Sequence, residues 1–182
     1  MPCSLNRCYG FTSGRVRCKR CVISGKFCHD HQQLIGRGTT SRIIYIGNGR
    51  VAKLFKPTRS QSDIDNEISA HILAGDAGIA PKIYRHWDRG FDMQDLSHMN
   101  YITIRRRYRN RLIPRDICAQ ILSSIRQLHR LGVTHNDLHD NNIMIHKTTD
   151  KILLIDFGKS TRRPTQIQKD TEIINFTHSY CR

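Results

Sequence analysis

The chain has 182 residues, 38% hydrophobic and 25% charged, with 30 Lys and Arg against 15 Asp and Glu for a net charge of +15. That length holds one ordinary domain plus a small appendage, and the composition excludes a disordered chain. No apolar run reaches the roughly 20 residues of a membrane-crossing helix and the polar N-terminus lacks a signal-peptide core, so an intracellular protein with no membrane partner is expected.

Five of the 7 cysteines lie in the first 28 residues. Between Cys3 and His31 the other residues are mostly Gly, Ser and basic, with too few large apolar side chains for a core, so a metal must organise a module over residues 1–32. Cys8, Cys18, Cys28 and His31 offer three thiolates and an imidazole, the tetrahedral set of structural Zn2+, with Cys21 competing for the place of Cys8. The alternative is a reduced, metal-free, cysteine-rich tail. Cys8, Thr12, Gly14, Cys18, Phe27, Cys28 and His31 together resemble small Cys/His modules of large DNA viruses, which implies a viral protein.

From Gln33 the pattern becomes one of strands, with a turn at Ile46-Gly47-Asn48-Gly49. Gly36, Gly38 and Ser41 form a loop whose backbone amides suit phosphates, although an ordinary hairpin explains it too. Ile64, Ile68 and Ile72 predict an amphipathic helix over 62–74, with Glu67 at the border of its stripe. Strands are expected over 80–84 and 99–104. The run from Arg105 to Arg111 contains five arginines and Tyr108, which suits RNA or phosphopeptide binding or a solvated connector. Pro114 opens a helix with Ile117, Ile121, Leu122, Ile125 and Leu128 inward, and Gly132 stops it.

The next segment, 135–158, carries the chemistry. Asp137 can orient an attacking hydroxyl, and Asn142 and Asp156 can hold Mg2+ on a triphosphate. Ile143-Met-Ile145 and Ile152-Leu-Leu-Ile155 predict two strands joined by a polar turn, a hairpin that brings both metal ligands to one edge. A basic segment, 159–163, and a helix over about 170–180 follow.

His135-Asn-Asp137-Leu-His139-Asp-Asn-Asn142 and Asp156-Phe157-Gly158 resemble the catalytic and metal loops of the protein-kinase-like superfamily. Val51-Ala52-Lys53 resembles its strand lysine motif, and Glu67 matches the helix glutamate that pairs with it. The resemblance implies an α+β, two-lobe kinase-like fold over 33–182, with a β-rich N-lobe about 33–104 and a reduced C-lobe about 112–182. It implies ATP and Mg2+ as cofactors and a Ser/Thr kinase acting on a protein substrate, and the net charge of +15 favours an acidic or phosphorylated one. Gly36, Gly38, Ser41, Lys53, Asn142 and Asp156 would bind the nucleotide, with Asp137 as base and Lys53, Glu67 and His139 assisting.

Two departures stand out. His139 occupies the usual place of a lysine, and it is either a cation beside the phosphoryl group or a neutral donor positioning Asp137. No A-P-E follows and only 24 residues remain after Gly158, as in compact atypical kinases where an aspartate-led helix follows soon, here at Asp170. A host or viral protein completing the C-lobe is therefore an expected partner. The rival readings are a pseudokinase serving as an interaction module and a basic zinc-containing protein that binds nucleic acid.

Overall fold

A computed structural model describes residues 34–109 and 113–181. The proposed zinc ligands Cys8, Cys18, Cys21, Cys28 and His31 lie outside these residues.

Five antiparallel strands form the first sheet: β1 (Leu34–Arg37), β2 (Ser41–Gly47), β3 (Arg50–Phe55), β4 (Ile83–Trp87) and β5 (Gly90–Gln94), in the order β1-β2-β3-β5-β4. The β2–β3 turn runs through left-handed Gly47, Asn48 and Gly49, residue types that tolerate positive φ. Helix α1 (Gln61–Asp76) begins at Ser60, whose hydroxyl accepts from the Asp63 amide. Its Ile64 and Ile68 pack on Val51, Phe55, Phe91 and Met93, so helix and sheet share one core. The helix runs past the predicted stop because Gly75 is helical; a Cβ there would lie 3.1 Å from the Pro81 carbonyl oxygen, so the close approach favours glycine.

The region 99–104 corrects an expectation. Strand β6 (Tyr101–Thr103) pairs not with the first sheet but with β8 (Ile143–His146), which pairs in turn with β9 (Ile152–Leu154). The place left in the first sheet belongs to β5, whose sequence GFDMQ carries a Gly and an Asp that propensity disfavours. Its position between β3 and β4 overrides propensity, and four of its five residues are buried.

Helix α2 (Ile104–Tyr108) occupies most of the arginine run. Helix α3 (Arg115–Arg130) follows Pro114, and left-handed Gly132 leads into β7 (Val133–Thr134), which pairs with β10 (Thr161–Arg162). The β8–β9 hairpin has the predicted pairing, Ile143 opposite Leu154 and Ile145 opposite Ile152. These isoleucines and leucines meet Ile117, Ile121, Ile125 and Leu128 of α3 in the larger core. Helix α4 (Gln166–Tyr180) starts four residues earlier than predicted, behind a Thr165–Gln168 capping box. It packs Phe176 into the same core, and a disulfide joins Cys181 at its end to Cys118 of α3.

Candidate active site

Between the five-stranded sheet and the β6–β8–β9 sheet lies a cleft of about 560 Å3. Val51, Met93, Leu96, Met144 and Ile155 give it apolar walls, while Lys53, Asn142 and Asp156 line its polar part. The cleft-lining connector between the two sheets is Gln94–Ser97, not the arginine run, which is taken up by α2. Asp95 stiffens this connector by accepting from the Ser97 amide at 3.0 Å and its hydroxyl at 2.6 Å.

Lys53 comes from β3 and Glu67 from the inner face of α1. Their Nζ–Oε1 distance is 2.5 Å, and Glu67 is fully buried. Lys53 also contacts Asp156 Oδ1 at 2.9 Å. Burial would pull the Lys53 ammonium down, but the charges of Glu67 and Asp156 outweigh it and hold its pKa above the ordinary lysine value. Burial would likewise raise Asp156, and Lys53 overcomes it, so this carboxylate stays ionised.

Asp156 sits at φ 66°, a left-handed conformation that a short polar residue tolerates. Phe157 after it is fully buried and stacks between His135, 4.9 Å away, and His71 of α1, 5.2 Å away. His135 donates from Nε2 to the Ile155 carbonyl at 2.9 Å, and His71 donates from Nε2 to that of Pro81 at 2.8 Å. Burial lowers the pKa of both, that of His71 to about 4, so both rings are neutral and act as packing.

Asn142 donates its amide to the Asp137 carbonyl at 3.0 Å, which leaves its own side-chain oxygen as a ligand for a cation. A hard oxygen from Asn142 and a half-exposed carboxylate from Asp156 fit Mg2+ carried on a triphosphate. Asp137 itself contacts Lys159, with Nζ 2.8 Å from Oδ1. Beyond Asp137 opens a second groove of about 450 Å3, lined also by His139 and by Ile167, Phe176 and Tyr180 of α4.

The structure thus gathers Lys53, Glu67, Asn142 and Asp156 at one cleft, with Asp137 beside Asn142. Gly36, Gly38 and Ser41 line that cleft on the β1–β2 turn. The Gly38 amide is spent on the Ser41 carbonyl at 2.9 Å, and Lys56 binds the Gly38 and Thr39 carbonyls. His139 lines the second groove, and its Nε2 is 4.0 Å from Asp137 Oδ2.

Several residues escaped sequence reasoning. Buried Arg59 places Nη1 2.7 Å from Glu67 Oε2 and donates from Nη2 to the Gly158 carbonyl at 3.0 Å. Arg89 holds that segment by donating to the carbonyls of Lys56 and Arg59. Glu172 ties α4 to the catalytic loop: it accepts from the Asn136 backbone amide at 2.5 Å and pairs with His129 at 2.7 Å. Asp170 instead accepts from Gln166 within the helix. A lone Arg in a polar stretch carries no periodic signal; Glu172 was visible only as an acid on a helix of the right neighbourhood.

The family model described as protein kinase domain matches residues 92–181, a span that contains Asp137, Asn142 and Asp156 but not Lys53 or Glu67. Serine/threonine-protein kinase H1 of Homo sapiens is 25% identical over 149 residues, 74% of this chain and 35% of that protein. A non-specific serine/threonine protein kinase of Drosophila melanogaster is 34% identical over 74 residues, 40% of this chain and 11% of the relative. The Schizosaccharomyces pombe protein called negative regulator of sexual conjugation and meiosis is 32% identical over 65 residues, 35% of this chain and 14% of its own length. The matched part is therefore at most 35% of the length of these relatives. Over these matched stretches the chain is similar to protein kinases, in the part that carries Asp137, Asn142 and Asp156 most of all.

Proposed function

We propose that this chain transfers the γ-phosphate of Mg-ATP to Ser or Thr hydroxyls of proteins. The observation that carries the reading is the continuous contact Glu67–Lys53–Asp156, at 2.5 Å and 2.9 Å, in a cleft that also holds Asn142. Lys53 is held to meet the α- and β-phosphates, and the apolar walls suit a purine. Asn142 and Asp156 would hold Mg2+, which supplies neutralisation of phosphate charge. Asp137 accepts the proton of the attacking hydroxyl, the new oxygen–phosphorus bond forms at the γ-phosphorus, the bond to the β–γ bridging oxygen breaks and ADP leaves.

The test is incubation with labelled ATP, Mg2+ and a protein acceptor. Asp137→Asn is expected to abolish transfer and spare nucleotide binding, whereas Asp156→Asn weakens Mg2+-dependent binding as well. Binding without transfer to any acceptor would favour a pseudokinase that works as an interaction module.

Residues 1–32 are proposed to hold one structural Zn2+ through Cys8, Cys18, Cys28 and His31, with Cys21 as the competing ligand. Elemental analysis of protein purified without added metal tests this; a ratio well below one sinks it. Nucleic-acid binding is a second reading, motivated by exposed Tyr84 and Trp87 on β4, each with an arginine over its ring, Arg50 at 4.1 Å and Arg85 at 5.7 Å. It predicts affinity for single strands that falls steeply with salt.

A further inference from the structure

Asp137 meets one cation at hydrogen-bonding distance, and that cation does not come from the catalytic loop. Lys159, directly after Gly158, places Nζ 2.8 Å from Asp137 Oδ1. His139 approaches the other oxygen only to 4.0 Å, too far for a hydrogen bond. The Asn141 amide donates to His139 Nδ1 at 3.2 Å. That ring nitrogen is engaged with the backbone of its own loop and not with Asp137.

Lys159 is exposed, and an exposed lysine alone would mean little. Its backbone, however, is stapled to the catalytic loop. Asn136, the residue before Asp137, donates its side-chain amide to the Lys159 carbonyl at 3.1 Å and to Thr161 Oγ1 at 2.8 Å. Asn136 adopts a left-handed φ of 60°, and Glu172 of α4 holds it there by accepting its backbone N–H. Asn66 of α1 secures the next residue by donating to the Ser160 carbonyl at 2.7 Å. The segment is thus tied from α1, from the catalytic loop and, through Asn136, from α4.

We infer that Lys159 is the permanent cation on the transferred phosphoryl group, filling the role that His139 leaves open. The inference rests on the phosphotransferase reading of the cleft. Lys159 carries its proton throughout: Asp137 takes the hydroxyl proton, the γ-phosphorus passes from the bridging oxygen to the acceptor oxygen, and the Lys159 ammonium donates to the phosphoryl oxygens. Held 2.8 Å from Asp137, Lys159 would meet the γ-phosphate and so distinguish ATP from ADP as well as stabilise transfer.

Two readouts are measured on the full chain, turnover and the ratio of ADP to ATP dissociation constants. Lys159→Met is expected to lower kcat about 100-fold, as removal of one oriented donor does. KM for ATP should rise by no more than about tenfold, the share of the contact already made to the bound γ-phosphate, so that the larger loss falls on kcat. The ADP to ATP ratio should fall about tenfold with loss of a charge-assisted hydrogen bond, a difference of about 1.4 kcal/mol. Lys159→Arg should restore most of both, His139→Gln should cost far less, and Lys151→Met, an equal charge change on the β8–β9 turn, should leave both unchanged. A larger loss in His139→Gln than in Lys159→Met overturns the assignment, as does a Lys159→Met protein that matches the parent in both readouts. Should the parent bind ATP without transferring phosphate, the phosphotransferase reading fails by itself, and the ADP to ATP ratio of Lys159→Met still decides on Lys159.

Discussion

The Lys53 side of this site, proposed to hold the nucleotide, and the Asp137 side, proposed to face the acceptor, are built on opposite electrostatic principles. Around Lys53 the charges are buried and interlocked, with Glu67 between the Lys53 ammonium and the Arg59 guanidinium and no solvent exposure of its own. Around Asp137 they are wet: the Lys159 side chain is 67% exposed, and Asp137 and His139 line an open groove. Buried charges hold their geometry because every alternative leaves one of them unpaired at high cost. Exposed ones are held by backbone staples instead, and are free to exchange partners when substrate arrives. On the proposed phosphotransferase reading, rigidity on one side would serve nucleotide binding and exchangeability on the other the transfer.

The largest expected effect breaks the buried side. Glu67→Ala strands Lys53 and Arg59 in the interior, and removing one partner of a buried ion pair costs about 3–5 kcal/mol. A urea denaturation series on parent and variant measures it. A loss below about 1 kcal/mol would mean that water reaches the cluster and that the contrast between the two sides is false.

Acid should open the interior next. His71 is buried against Phe91 and Phe157 and its pKa is lowered from 6.5 to about 4. Between those values the unfolded chain binds a proton that the folded one refuses, so stability falls as pH falls through that window. The full difference is about 3 kcal/mol. His135, also lowered by burial, acts in the same direction. Asp156 is lowered below 3.8 by Lys53, so its contribution is lost only at still lower pH and does not mimic the effect. Denaturation midpoints from pH 7 to pH 4 are expected to decline, with a shallower slope in His71→Leu. Equal slopes would assign the decline to other groups.

That Lys53, Glu67, Asn142 and Asp156 would meet at one cleft was legible in the sequence, because they sit in short motifs carried by regular elements. Lys53 and Glu67 came from the resemblance to the kinase strand-lysine and helix-glutamate pattern, and Asn142 and Asp156 from the catalytic and metal loops flanking a hairpin of β-branched residues. The failures share a physical cause. Strand β5 contradicts its own propensity and exists because β3 and β4 flank it, a tertiary fact. The 99–104 segment was read as a strand correctly and paired wrongly, since pairing partners are not local. Arg59, Asn136, Lys159 and Glu172 act through single side chains that reach residues 8 to 99 positions away, and neither period nor motif marks such reach.

Arg59 tests whether the buried side needs both of its cations. Arg59→Met keeps much of the apolar stem but removes the contact with Glu67 and the donation to the Gly158 carbonyl, while Lys53–Glu67 remains. Loss of hydrogen bonds to a charged group costs about 2 kcal/mol. Because Gly158 adjoins Phe157 and Asp156, Mg-ATP affinity should fall with stability. Calorimetric titration and urea denaturation on one protein sample give both. Reduced stability with unchanged affinity would show that Arg59 supports α1 without governing the metal loop.

The smallest expected effect lies on the acceptor side and concerns stability rather than rate. Asp137 raises the Lys159 pKa by hydrogen bonding and by its charge, yet the side chain is largely exposed, where ion pairs add little and salt screens them. Lys159→Met should therefore leave the denaturation midpoint where it is in the parent, at low and at high ionic strength alike, while the same substitution slows transfer. A midpoint that dropped in low salt and recovered in high salt would reveal a structural ion pair like that of Glu67. The two sides of the site would then differ in degree of burial and not in design.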